Sequence, residues 1–425
     1  DLFFQELGFR CFGPIDGHNL KELLELFQAI KTMGGPILIH AHTEKGHGYA
    51  PALRDPVKYH ALKNFLEKDA RTTSTASEAA VAEKKEPAAA KKAARPSYSA
   101  VFKETIHDLA RKDRRVAAIT AGMSGGTGLS EFAKEFPDRF FDVGIAEQHG
   151  AAFTSGLTEG GMRPIFAVYS TFCQRAYDQF VHDVCLQRIP AIFCLDRAGI
   201  AGEDGWTHHG VLDIAYMRSV PNCVLAAPRD GEEMIRMMHW AVDQNEAAVA
   251  IRYPKATVPD LPASRDATIR PGVSELLLEG ERVALFAYGA MVDEAYRAAL
   301  DLRDRGMRPT VVNARFAKPL DVAMLRRLSM NHDVLVTLEE HNLMGGFGSA
   351  VLEALADHEI GFRRVKRLGI PDRFVTFGSR EELLAELEID TASIVRVVAG
   401  LWDANAASSD RDVTTPSGVR LDLRV

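Results

Sequence analysis

From residue 98 to about residue 254 the chain repeats one pattern, an amphipathic stretch of helical length followed by a short run that is apolar at nearly every position. The amphipathic stretches are 98–111, 148–157, 172–186 and 232–242. The apolar runs are 116–120, 140–143, 164–168, 191–195 and 248–252. A strand apolar at consecutive positions is covered on both faces, and parallel neighbours need a crossover that an intervening helix supplies. The alternation therefore predicts an α/β fold, a doubly wound and mostly parallel sheet with helices on both faces. It restarts after Pro271, with strands at 283–288, 309–312 and 334–338 and helices at 293–305, 322–330 and 349–357. That is a second, smaller domain of the same class. Upstream, Leu20, Leu23, Leu24, Phe27 and Ile30 form one stripe of a helix over 19–33, ended by Gly34, and 36–43 reads as a strand.

A chain of 425 residues has room for about two or three domains with their own cores. Between the patterned regions, 71–97 is dominated by Ala, Lys, Glu, Ser and Thr and reads as a solvated flexible linker. Its lysines alternate with glutamates and lack aromatic neighbours, which argues against a nucleic-acid patch. Residues 401–425 lack periodicity and read as a disordered tail. A net charge of -7 gives no general affinity for nucleic acid or anionic membranes, and no apolar run approaches bilayer length. The five cysteines show no CxxC spacing and read as buried thiols of a reducing compartment. His40, His42 and His47 lack carboxylate or cysteine partners at zinc-site spacing, so no metal site is assigned. The chain opens at Asp1 inside a pattern already under way, so it reads as a fragment.

Ligands of open α/β sheets bind outside the carboxyl ends of the strands. Three segments just past such ends carry a mixture of acids, bases, aromatics and imidazoles: FDVGIAEQHG, YSTFCQRAYDQ and DRAGIAGEDGWTHHG. Glu147, Tyr169, Arg175, Arg197, Asp204 and His208 are expected to gather at one rim. Each also has a plain structural reading. Glu147 opens a helix, where any carboxylate is favoured by the helix dipole. Tyr169 and Phe172 are ordinary core aromatics. Arg175 makes a surface ion pair. Arg197 and Arg252, both at strand ends, are either structural or a paired clamp for a phosphate. His209 reads as a bystander. GMSGGTG and GGFGS lack the GxGxxG spacing of a dinucleotide fingerprint.

Taken together, IAEQH, QRAYDQ and DRAGI…DGxTHxG, with GPIDGH, RYP, ARFAKPLD and EEHNLMGGFGS, resemble the 1-deoxy-D-xylulose-5-phosphate synthases, thiamine-diphosphate enzymes related to transketolase. The resemblance implies a domain plan. Residues 1–70 are the end of a pyrophosphate-binding domain, 71–97 the linker, 98–260 a pyrimidine-binding catalytic domain and 271–400 a transketolase-like C-terminal domain, before the tail. It implies thiamine diphosphate and Mg2+ as cofactors, the metal being held by a Gly-Asp-Gly loop of the amino-terminal domain. No GDG occurs in this sequence.

The resemblance also implies roles. Glu147 holds the pyrimidine ring nitrogen, Phe172 lies against that ring, Tyr169 and Arg175 stand at the reacting centre, and Met123 belongs to a loop beside the thiazolium. Lys45 lies near the diphosphate and His60 faces the site. Arg197 and Arg252 bind the acceptor phosphate, Asp204 orients its hydroxyls, and His208 helps proton transfer. Trp206 stands where the family has a smaller or more polar residue. The implied reaction is the decarboxylative condensation of pyruvate with glyceraldehyde 3-phosphate through a thiamine diphosphate enamine, which opens the methylerythritol phosphate isoprenoid pathway. A homodimer in a bacterial cytoplasm, or in a plastid, is expected, without membrane or nucleic-acid partners. A transketolase or pyruvate-dehydrogenase-like enzyme is the alternative, as is an inactive truncated dimerisation module.

Overall fold

The computed structural model describes residues 2–55, 59, 95–264 and 266–409. Most of the linker, the chain beyond 409 and His60 lie outside the described residues. The chain divides into two units, Asp1–Ala90 and Lys91–Val425.

Among its described residues the first unit is built on one β-α-β element, flanked by the short helices Leu2–Glu6 and Ala50–Arg54. Strand β1 (Arg10–Asp16) pairs in parallel with β2 (Ile37–His42), and the helix Leu20–Ile30 crosses between them. Asn19 caps that helix by accepting from the Glu22 N–H. The helix buries no residue, so its apolar stripe is left on the surface, with Leu20, Leu24 and Phe27 all exposed.

The second unit holds two sheets. The larger has seven strands in the order β12-β7-β8-β6-β5-β3-β4. Six of these are parallel: β3 (Val116–Thr120), β4 (Phe140–Asp142), β5 (Arg163–Tyr169), β6 (Ile192–Asp196), β7 (Cys223–Ala226) and β8 (Ala248–Arg252). Every residue of β3, β5, β6, β7 and β8 is buried, as apolar runs with helices on both faces require. The smaller sheet has the order β14-β13-β10-β11-β9, formed by β9 (Glu275–Leu278), β10 (Arg282–Ala287), β11 (Thr310–Asn313), β13 (His332–Asn342) and β14 (Arg364–Ile370). Only β9 runs antiparallel to its neighbour there.

The two sheets are physically joined. Strand β12 (Phe316–Lys318) comes from the chain of the smaller sheet but pairs antiparallel with β7 at the edge of the larger one. One apolar cluster also runs through both, holding Phe166, Phe193 and Leu195 from one side and Phe286, Val312 and Phe347 from the other. Fully burying one such side chain contributes about 1.5–3 kcal/mol.

Two expectations are corrected. The helix expected over 172–186 is broken into the α turn Ser170–Cys173, the 3-10 turn Gln174–Ala176, the turn Tyr177–Gln179 and a π segment Phe180–Cys185. The wider π turn brings Phe180, Val184 and Cys185 together into the core, whereas Leu186 is left exposed. The disordered tail expected over 401–425 is not found at its start, where the helix Thr391–Ser409 continues and buries Leu401 and Trp402; the rest of that span lies outside the described residues.

Candidate active site

Sheet order puts the sequence-predicted residues, and with them Lys255, which the sequence reading did not single out, at neighbouring strand ends. Met123 follows β3, Glu147 follows β4, Tyr169 ends β5, Arg197 follows β6 and Lys255 follows β8. The chain adds β4 on one side of β3 and then returns to lay β5 on the other. The boundary between β3 and β5 is therefore the topological switch point of the sheet, the place where open α/β sheets form a ligand crevice.

Tyr169 and Phe172 stack with ring centroids 5.7 Å apart, and His208 meets both edge-on, at 6.3 Å and 5.4 Å. The guanidinium of Arg197 lies 3.7 Å from the Tyr169 ring centroid. Burial, opposed by that guanidinium, pushes the Tyr169 phenol up to about 12, so it stays a neutral donor at physiological pH. The 122–128 loop passes close beside this tyrosine. A Cβ on Gly126 would stand 2.0 Å from the Tyr169 hydroxyl, which accounts for the second glycine of SGG. Arg197 fastens the same loop by donating from Nη1 to the Gly126 carbonyl at 3.1 Å. Met123 is half-buried in that loop, its carbonyl accepting from the Thr127 N–H at 3.0 Å and the Thr127 hydroxyl at 2.9 Å.

Arg197 adopts φ +57, an uncommon left-handed conformation for a residue with a Cβ. Beside it Asp196 is fully buried, its carboxylate accepting from Ser99 Oγ at 2.8 Å and Arg197 Nη1 at 3.2 Å. Burial dominates there and raises the Asp196 carboxyl to about 6. Asp204 behaves oppositely. Burial pushes it upward, but Lys255 and Arg197 prevail and hold it below the usual carboxylate range. Its Oδ2 accepts from Lys255 Nζ at 2.7 Å and Arg197 Nε at 3.4 Å, so one oxygen gathers two cations.

Arg197 and Arg252, read as a possible phosphate pair, sit in different surroundings. Arg252 is 4 % exposed, and its Nε donates to the buried carboxylate of Asp213 at 2.9 Å. Its Nη2 donates to the carbonyls of Gly210 at 3.4 Å and Glu340 at 3.3 Å. A guanidinium at the last position of a central strand is enclosed by its neighbours, whereas three residues later the chain has reached the rim. Lys255 is therefore the cation beside Arg197. The signal was present in the sequence, as a second base just past RYP.

Glu147 begins the helix Glu147–Glu159 and is 3 % exposed. Arg175 Nη1 stands 2.7 Å from its Oε2 as an ion pair, yet no donor is aligned with that oxygen, which is buried without a hydrogen bond. The arginine side chain is half-exposed. His209, read as a bystander to the chemistry, is buried and bonded at both ring nitrogens: Nδ1 accepts from the Ala201 N–H at 2.9 Å, so Nε2 carries the proton donated to the Thr376 carbonyl at 2.7 Å. Lys45 lies exposed on a turn of the first unit. In that unit His18 and His47 stack at 3.8 Å, and His18 Nε2 accepts from the Glu44 N–H at 2.7 Å.

Among the described residues no group of three or more His, Cys, Asp or Glu is arranged to hold a metal, and no helix is long and apolar enough to cross a membrane.

A doubly wound sheet with this crevice, joined to a second parallel sheet, defines a protein of the transketolase class. Residues 94–260 match the transketolase pyrimidine-binding domain and 272–394 the transketolase C-terminal domain, while 1–43 match the family model described as 1-deoxy-D-xylulose-5-phosphate synthase. The chain belongs to the 1-deoxy-D-xylulose-5-phosphate synthase family. It is 46% identical to 1-deoxy-D-xylulose-5-phosphate synthase 1 of Geobacter sulfurreducens over 96% of its own length and 61% of that protein's. It is 48% identical to the synthase of Thermomicrobium roseum over 92% of this chain and 59% of the relative. The chain thus spans about three fifths of the curated relatives it matches. Among solved structures, a split-gene transketolase described as an inactive β4 tetramer superposes with a TM-score of 0.64 at 28% identity, covering 72% of this chain and 98% of that one. A Pichia stipitis transketolase shares the fold at TM-score 0.61 and 16% identity, covering 74% of this chain and 47% of that one.

Thiamine diphosphate is the cofactor this family implies. The residues present fit its aminopyrimidine half. A protonated ring nitrogen would supply the donor that Glu147 Oε2 lacks, and Phe172 offers an aromatic face on the same rim.

Proposed function

We propose that the chain carries the pyrimidine-binding and acceptor-binding parts of a 1-deoxy-D-xylulose-5-phosphate synthase, which joins pyruvate to glyceraldehyde 3-phosphate with loss of carbon dioxide. The observation that carries this reading is the trio Arg197–Asp204–Lys255, two cations drawn to one carboxylate at adjacent strand ends. A sugar phosphate suits that trio. Its phosphate takes the two cations, and its hydroxyls take the carboxylate they release.

Thiamine diphosphate, when bound, supplies the electron sink for decarboxylation. The chain's own residues do the rest. Glu147 holds the pyrimidine by its buried oxygen, and Phe172 covers the ring. Tyr169 donates from its neutral hydroxyl beside the reacting carbons. His208, half-buried against both aromatics, is within their reach to move a proton to or from the aldehyde oxygen. Anchoring the phosphate far from the bond being made lets binding energy orient the reacting carbon. Mg2+ for the diphosphate, a homodimeric assembly and a cytoplasmic location belong to the same proposal.

A second reading is favoured by the split-gene transketolase, of which this chain covers 98%. It is that the chain is one half of a site that another polypeptide completes. Calorimetry with thiamine diphosphate and Mg2+ separates the two. Saturable binding by the purified chain supports the first reading, and its absence, restored by a partner polypeptide, supports the second. Arg197→Ala tests the acceptor assignment, by raising the KM for glyceraldehyde 3-phosphate while pyruvate decarboxylation persists. Unchanged aldehyde kinetics defeat it.

A further inference from the structure

The segment 199–210 carries Asp204 and His208, and its ends are closed on themselves. Gly199 N–H donates to the Gly210 carbonyl at 2.7 Å, and Gly210 N–H returns the bond at 2.8 Å. A loop pinched at its neck can still swing as a flap about that pair. In this protein the swing is blocked from behind, by residues of the smaller sheet. The Ile200 N–H, just inside the neck, donates to Oε1 of Glu340 at 2.7 Å. Glu340 lies near the end of β13 and is 2 % exposed.

We propose that Glu340 is a positioning residue for the acceptor reaction, a strut that sets where Asp204 and His208 stand relative to Tyr169 and Arg197.

Three features show that the strut is built rather than incidental. First, Arg380 holds the carboxylate in place, donating from Nε to Oε1 at 3.2 Å and from Nη2 to Oε2. Arg380 opens the helix Arg380–Glu386, whose own start is fixed by a capping box between Ser379 and Glu382. Second, Gly199 is shaped to the carboxylate. It has φ +92, and a Cβ there would stand 2.7 Å from Glu340 Oε1. Third, His209 forms a parallel tie from the loop to the Thr376 carbonyl, a few residues before Arg380. The larger sheet thus supplies the reacting loop, and the smaller sheet supplies its fixed support. That gives the second domain a role in the chemistry although it contributes none of the residues assigned to it.

The proposal rests on the reading of Asp204 and His208 as acceptor-binding groups, so its test needs one readout that does not. Glu340→Gln keeps the shape and an oxygen for Ile200 but removes the charge facing Arg380; Glu340→Ala removes both. Hydrogen–deuterium exchange on the whole chain, without cofactor, is expected to accelerate at least about tenfold in 199–210 for Glu340→Ala, and less for Glu340→Gln. Strands β5 and β6 should keep their protection. With thiamine diphosphate, Mg2+ and any completing polypeptide present, the KM for glyceraldehyde 3-phosphate is expected to rise in the same order while pyruvate decarboxylation is spared. Exchange that is unchanged in 199–210, or that rises equally throughout the unit, overturns the strut. Local loosening with unchanged aldehyde KM overturns the acceptor assignment of the loop, and the positioning role with it.

Discussion

The two sides of the crevice are finished to different degrees. On the side of β6 and β8, each charged group has found a partner within the chain: Asp196 with Ser99 and Arg197, Asp204 with Lys255, Glu340 with Ile200 and Arg380. On the side of β4, Glu147 has a buried oxygen without a donor, its cation partner is half in solvent, and Ile145 just before it is 79% exposed. An unsatisfied buried acceptor costs about 1–3 kcal/mol, and a bound group that donates to it recovers that cost. That contrast accords with the proposed reading, in which Glu147 takes a donor from the aminopyrimidine while the acceptor groups are paired within the chain.

The sharpest way to break that comparison is Glu147→Ala. If the orphaned oxygen exists for the cofactor, the variant should lose about 10³–10⁴-fold in turnover of the cofactor-loaded protein. Thiamine diphosphate affinity, read by calorimetry, should fall with it. Its thermal stability should fall little, because the Arg175 guanidinium that pairs with Glu147 is half-exposed and can be solvated instead. A drop in melting temperature with cofactor affinity intact would make Glu147 a structural helix opener.

Arg252→Ala should do the reverse. Removing it leaves Asp213 buried and uncompensated, and breaking such a pair costs about 3–5 kcal/mol. Urea unfolding should register that loss. Arg252→Lys should recover part of it, while the KM for the phosphorylated aldehyde changes little among variants that still fold. A large selective KM effect for Arg252→Lys would restore it to the phosphate clamp.

Arg252 and Lys255 mark how far the sequence carries. The sheet class and most of its elements were legible because an apolar run between amphipathic stretches has only one good way to be covered. The elements that escaped are those whose cause is tertiary. Strand β12 is a three-residue segment that reads as a loop until β7 lies beside it. The π segment at Phe180–Cys185 keeps helical spacing in sequence and shifts only to fill the core. Of the site residues, those of β5, β6 and the loop after β6 converge as expected, because strand ends converge. Arg252 and Lys255 were separable only by where a strand stops, and the step of three residues from one to the other leads from core to rim. His209 looked idle because its partner, a backbone carbonyl, has no sequence signature.

A smaller effect sharpens the acceptor side. Lys255→Ala should raise the KM for glyceraldehyde 3-phosphate about 10–100-fold, equivalent to the roughly 1.5–3 kcal/mol of one charge-assisted hydrogen bond. Lys255→Arg should restore most of it. Loss of Lys255 also removes the strongest pull on Asp204, so the pH dependence of acceptor binding should move its acid limb upward. A limb that stays put would mean that Arg197 alone holds that carboxylate.

The smallest effect concerns the seam between the sheets, where His341 lies fully buried, 3.8 Å from both Asp213 and Glu339. Burial lowers the His341 imidazole to about 4, and burial raises Glu339 to about 8 although the Phe347 and Gly348 N–H groups favour its charged form. The unfolded chain binds a proton at His341 below about 6.5 that the folded chain refuses, so this residue's stabilisation is complete above that pH and is lost on acidification towards 4. Glu339 runs the other way, since the folded chain keeps its proton up to about 8, where the unfolded one releases it near 4.3. Their opposed slopes nearly cancel between about pH 4.5 and 6.5. In His341→Asn the histidine term is gone, and stability measured by urea unfolding should climb relative to wild type on acidification through that window. The change in slope should be on the order of 1 kcal/mol per pH unit. Parallel curves for the two proteins would show that His341 is protonated in the folded state, and the seam would then be a charged relay between the sheets instead of a neutral joint.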